Sequence, residues 1–249
     1  MADLSITSDM EMRTGNIRAI ECYREAWQLL KPVYWQVLGV VFVGMLIGGA
    51  FSILLGPMMC GIYLVLFDVH EGRSPSFDRL FKGFQFFLPS FLLVLIIMLP
   101  VIVMIALIYL PIIAMTLAGE RMDESQLWAF LGTTLAIEAI FIVIMTCFHT
   151  LLLFAFPLIV DKGMGVIQAI KWSSKGVWRN LSGVASLFGV GMIVSLAGML
   201  LFCIGIYLVM PLILAATVAA YRRVFPANRI DPESGPPPPT AYFTEQFNG

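Results

Sequence analysis

The chain has 249 residues, 59% of them hydrophobic and 12% charged, with a net charge of −1. Soluble domains carry about 25% charged residues, so this composition excludes a water-soluble globule. The near-neutral balance gives no reason to expect a nucleic-acid partner, and the basic residues matter by position instead.

Residues 1–16 are polar and read as a disordered N-terminus; no secretory signal is visible in the first 31 residues. A single membrane domain then occupies residues 17–225. Residues 17–31 read as an interfacial amphipathic helix, with Ile20, Tyr23, Trp27 and Leu30 on the apolar side and Arg18, Glu21, Glu25 and Gln28 on the other.

Four apolar stretches without Lys or Arg follow: 33–67, 84–118, 127–160 and 181–221. Each exceeds the ~20 residues of one bilayer crossing. Arg121 stands alone in 119–126, while the segments 1–32, 68–83, 161–180 and 222–249 hold the other fourteen cationic residues. Cytoplasmic loops collect Lys and Arg. The split of fourteen against one is reached when 33–67 and 181–221 each cross twice and the middle stretches once. The fold class expected is therefore an all-α integral membrane protein of six spans with both termini cytoplasmic. An eight-span version with hairpins in the middle stretches is the competitor.

The first stretch has Gly48-Gly49 and Gly56-Pro57 to turn on, and the notch Gly44-x-x-x-Gly48 for close helix approach, most simply inside the monomer. In the loop 68–83, Ser76 is an expected N-cap of a short helix carrying Phe77, Leu80 and Phe81. Asp68, His70 and Glu71 cluster there without the spacing of a known metal site. The stretch 84–118 carries Pro89, Pro100 and Pro111 on one face, eleven residues apart, as a curved helix or a hinge.

Glu138 is the only acidic residue inside an apolar stretch, and His149 lies eleven residues on, on the same face. Ionisable groups at membrane depth are costly and mark candidate functional sites. Two readings stand: a proton or substrate relay, or a structural acid hydrogen-bonded to a neighbouring helix. Residues 164–180 form a second interfacial helix. Its Lys171, Lys175 and Arg179 make a basic stripe flanked by Trp172 and Trp178, with Ile167, Ile170, Ser174, Val177 and Leu181 along another side. The stripe fits anionic lipid headgroups and equally fits simple topology fixing. The last hairpin carries Gly189 and Gly191 in further packing notches. Pro211 falls in its second arm, and Arg222 and Arg223 stop transfer. From residue 226 the Pro-rich tail reads as disordered.

The four cysteines, Cys22, Cys60, Cys147 and Cys203, form no CxxC and read as small apolar residues. No cofactor or metal is expected. A Trp-bearing amphipathic helix followed by a tight hairpin occurs at 17–67 and again at 167–221, a parallel internal repeat by pattern.

Residues 56–57 through 71–73 with Phe77, Leu80 and Phe81, and residues 156–161 through Gly165, Ala169 and Ser173, carry a resemblance. At these positions, over about half its length, the chain resembles a group of bacterial polytopic membrane proteins. The group includes the membrane domain attached to some glycerophosphodiester phosphodiesterases. The resemblance implies a fold and a bacterial cytoplasmic (inner) membrane. The phosphodiesterase catalytic domain is absent, so no catalytic residue transfers. No catalytic motif is found in the chain. The function expected is non-enzymatic: a scaffold, assembly or membrane-homeostasis factor that contacts the lipid bilayer and a membrane-protein partner or second copy. The alternative is a small transporter or lipid-handling permease using Glu138 and His149.

Overall fold

A computed structural model describes residues 12–15, 17–117, 123–200 and 204–226. Most of both ends expected to be disordered, residues 1–11 and 227–249, together with Cys203 and Arg121, lies outside these residues, while residues 12–15 lie within them. Every regular element among the described residues is helical: α1 (Ala19–Leu30), α2 (Tyr34–Ala50), α3 (Leu55–His70), α4 (Phe77–Phe81), α5 (Phe87–Leu117), α6 (Glu124–Leu151), α7 (Ala155–Lys162), α8 (Val166–Arg179), α9 (Leu181–Met199) and α10 (Ile204–Val224). Among the described residues six runs are long and apolar enough to cross a membrane: Ala19–Ala50, Ser52–His70, Phe77–Ala114, Glu124–Lys162, Leu181–Met199 and Gly205–Val224. The two middle stretches do not fold back. α5 remains helical through all three prolines, and α6 is continuous to Leu151.

Local chemistry explains the ends. Ser76 caps α4 as expected, its hydroxyl accepting from the Arg79 amide at 3.2 Å. Asp123 starts α6 with a reciprocal box: its carboxylate accepts from the Gln126 amide at 2.7 Å, and its own amide donates to the Gln126 side chain at 3.0 Å. The Gln126 amide, followed by the Ser125 hydroxyl, holds the Asp123 carboxyl below its ordinary pKa. Between α6 and α7 the helix breaks at residues 152–154. Ser173 of α8 bridges that break, donating to the Leu151 carbonyl at 2.7 Å and accepting from the Phe154 amide at 3.0 Å. Asn180, at the α8–α9 junction, accepts from the Gly15 amide at 2.7 Å and donates to the Arg13 carbonyl at 3.2 Å, tying the N-terminal segment down.

Both amphipathic helices exist, and each buries only part of the stripe that hydrophobicity selects. On α1 the buried positions are Ala19, Cys22, Tyr23, Ala26 and Leu30, while Ile20 is 67% and Trp27 46% exposed. On α8 they are Ala169, Ser173, Gly176 and Val177, with Ile167 and Trp178 exposed. The reason is close approach. α1 lies against α10 and α9, and at Gly176 a Cβ would stand 2.8 Å from the Phe225 ring. Among apolar helices, small residues form the contact and the large ones are pushed to its flanks.

The core sits where α1, α3, α7, α8 and α10 meet. Tyr221 is its centre, with Phe225, Phe67 and Phe154 at ring separations of 5.3, 5.6 and 6.1 Å. The outer lengths of α5 and α6 leave that core. No described side chain in 95–117 is buried, and none in 124–144. At 1.5 Å per residue these lengths reach about 35 and about 32 Å, comparable to the ~30 Å hydrocarbon core of a bilayer.

Candidate functional site

Three apolar stretches end on charges: Asp68 in the last turn of α3 and Glu71 just after it, Asp161 and Lys162 at the end of α7, and Arg222 and Arg223 in the last turn of α10. By sequence the cationic ones are topology markers, Asp68 and Glu71 are loop charges, and Asp161 belongs only to the stretch that carries the resemblance. Folding brings them to one junction. Arg222 donates to Asp161 at 2.7 Å and to Glu71 at 3.2 Å, and its guanidinium lies 4.4 Å from the Phe67 ring centre. The Tyr221 hydroxyl donates to the other Asp161 oxygen at 2.7 Å, and Lys162 approaches that same oxygen at 3.4 Å. Arg73 bridges Glu71 and Asp68. Arg79 Nε is 2.8 Å from Asp68, off the N–H direction, so it is an ion pair rather than a hydrogen bond. Arg223 reaches Glu21 at 2.9 Å and Glu25 at 3.0 Å. The start of α1 and the ends of α3, α7 and α10 are thus clamped together.

The basic stripe of α8 is separate from this clamp. Lys171, Lys175 and Arg179 are exposed and make no ion pair among the described residues; Lys175 Nζ stands 4.8 Å from the Trp172 ring centre. The stripe therefore keeps its charge available to an outside anion.

The intramembrane pair is not brought together. Glu138 is half-buried on the α6 stripe of Thr134, Phe141, Met145 and Phe148, and makes no hydrogen bond or ion pair among the described residues. His149 is exposed, its Nδ1–H donating to the Met145 carbonyl at 2.8 Å and its ring edge-on to Phe148. Eleven residues of helix place them about 16 Å apart.

The glycine notches divide. A Cβ on Gly44 would stand 2.9 Å from Ile62, and one on Gly48 3.0 Å from Leu55, so both are filled by α3 within the monomer. Gly191 faces the Tyr23 hydroxyl, 2.7 Å from where a Cβ would be, whereas Gly189 opens onto space. Beside them lies a cavity of about 500 Å³ between α1, α6, α9 and α10, lined by Tyr23, Thr146, Leu187, Phe188, Ser195 and Ile213 among others. Neither the clamp nor the cavity was read from sequence. The signal for the clamp was an acidic or basic residue at the end of each apolar run; the cavity left none.

A protein all-helical among its described residues, with six runs there fit to cross a membrane and ion pairs clamping one end, is the class these features define. No family model, curated protein or solved structure matches the chain.

Proposed function

We propose that the chain is a non-enzymatic integral protein of the bacterial cytoplasmic membrane, acting as a scaffold, assembly or membrane-homeostasis factor, with both termini cytoplasmic. The likeness to the phosphodiesterase-attached membrane domain belongs to this proposal and concerns fold alone. The observation that carries it is the pair of apolar arms, residues 95–117 and 124–144, with no buried described side chain on either. The clamp holds a compact base, and the arms offer membrane-deep surface for a helical partner. Lys171, Lys175 and Arg179 settle the base on anionic headgroups, at about 1 kcal/mol per charge near the surface.

A photo-crosslinking amino acid at Ile102, Leu110, Leu135 or Ile142, all more than half exposed, tests this in cells. The expected result is a discrete protein adduct from arm positions. Adducts to lipid alone remove the scaffold reading.

The transporter reading keeps one supporting observation, the unpartnered Glu138. Under it, Glu138→Gln leaves thermal stability unchanged and abolishes pH-driven flux in reconstituted vesicles. Under the scaffold reading the same variant changes no flux, and stability rises slightly as a membrane-depth charge is removed.

A further inference from the structure

The cavity beside Gly189 has walls of Leu153, Leu187, Phe188, Met192 and Ile213. A Cβ on Gly189 would meet nothing within 4 Å. Thr146 and Thr217 line it too, but their hydroxyls are spent on their own helices, donating to the Ile142 and Ile213 carbonyls at 2.7 and 3.0 Å.

Tyr23 is different. It is 9% exposed, its hydroxyl borders the cavity, and it makes no hydrogen bond among the described residues. The hydroxyl opens onto the cavity rather than being sealed in protein, and a tyrosine hydroxyl so placed ordinarily finds a partner. Ser195 also lines the cavity, so beside Tyr23 a water would find this hydroxyl and the acceptor sides of the two threonines on walls that are otherwise apolar, whereas an acyl ester matches both the phenol and those walls. The depth of Tyr23 narrows the choice. It lies on α1 between Glu21 and Glu25, the two acids that Arg223 holds at the clamp. It therefore sits where the charged end of the bundle gives way to its apolar length. At that level a bilayer presents an oxygen that accepts and cannot donate, the ester carbonyl at the head of each acyl chain.

We propose that this cavity is a lipid site: it takes one acyl chain of a bilayer glycerolipid, and Tyr23 donates its hydroxyl proton to the ester carbonyl of that chain. The apolar walls supply the chain's surroundings and the phenol fixes its register. The site is distinct from the basic stripe of α8, which meets headgroups by charge. It rests on membrane embedding of α9 and α10, not on the scaffold reading, so the arm crosslinks and the following experiment fail independently.

The test uses the full chain reconstituted in vesicles containing a phosphatidylcholine with a diazirine in mid-chain. Adducts are mapped by peptide mass spectrometry at Leu187 and Ile213 on the cavity wall, and at Ile193 and Leu196, which are 66% and 57% exposed. The expected result is labelling of Leu187 and Ile213 in excess of Ile193 and Leu196. Gly189→Leu, which fills the cavity from a position with room for a side chain, removes that excess. Tyr23→Phe keeps the shape and loses one hydrogen bond of about 1 kcal/mol, lowering the excess about fivefold. Wall labelling no higher than at Ile193 and Leu196 overturns the site. An excess that survives Gly189→Leu overturns its location. An excess unchanged in Tyr23→Phe, which is expected to fold, overturns the ester contact even if the leucine variant does not fold.

Discussion

Gly61→Ala and Gly83→Ala each abolish the folded protein. α3 and the turn after α4 cross at these two glycines with backbone against backbone. A Cβ on Gly61 would lie 1.9 Å from the Leu80 carbonyl oxygen, and one on Gly83 2.1 Å from the Pro57 carbonyl oxygen. Overpacking a core usually costs about 1–3 kcal/mol because side chains yield. Here the obstacle is main chain on both sides, inside helical segments that cannot bend away singly. The crossing also seats Leu80, which is fully buried and beneath Gly44. The expected outcome is loss of the monodisperse species on size-exclusion chromatography in mild detergent. Gly189→Ala is the matched control: its Cβ meets nothing, and alanine favours a helix over glycine by about 1 kcal/mol. It should melt at or above the native temperature. A Gly61→Ala protein melting within a few degrees of native would contradict the crossing.

Arg222→Ala should destabilise the bundle by about 3 kcal/mol, the lower end for breaking a buried ion pair by removing one partner. Arg222 and Asp161 side chains are 12% and 13% exposed, and without the guanidinium the Asp161 carboxylate retains only Lys162 and the Tyr221 hydroxyl. The two arms of this arginine are unequal. Glu71 is 41% exposed, and an exposed pair contributes roughly 0–1 kcal/mol. A double-mutant cycle should therefore show strong coupling between Arg222 and Asp161 and little between Arg222 and Glu71. Arg222→Lys falls between wild type and alanine, since an ammonium lacks the planar fork and the stacking on Phe67. Thermal melts in 0.1 and 1 M NaCl separate the terms: the Asp161 coupling persists at high salt and the Glu71 coupling vanishes. Equal coupling to both acids would show the clamp to be a surface network.

The residues that sequence reading singled out and those that fold and site depend on overlap only in part. Ser76 declared its cap, and Gly44 and Gly48 their notch, because both signals are local: a side-chain oxygen before an apolar helix, and small residues one turn apart. Glu138 drew attention as the one acid in an apolar run, yet it meets neither His149 nor the cavity. Arg222 read as a charge that ends a span, Glu71 as one of a loop cluster and Asp161 only as part of a resemblance, and their meeting needs three helices to finish at one place. Of the apolar side read for α1, Tyr23 and Leu30 are buried with Ala19, Cys22 and Ala26, while Ile20 and Trp27 stay exposed. Ile20 and Trp27 are the more hydrophobic residues, but Ala19, Cys22 and Ala26 allow α1 to approach α10.

Sequence alone determined that the chain is all-helical among its described residues with six runs fit to cross a membrane, that 84–118 and 127–160 supply one such run each, and that cations avoid the apolar stretches. Those properties depend on composition and charge summed along the chain, and water and lipid read them directly. Tertiary structure alone decided which stripe of each amphipathic helix is buried, which glycines touch main chain, and which terminal charges become one clamp. Those outcomes depend on distances between segments far apart in sequence, at a scale where one methyl group settles whether two helices meet.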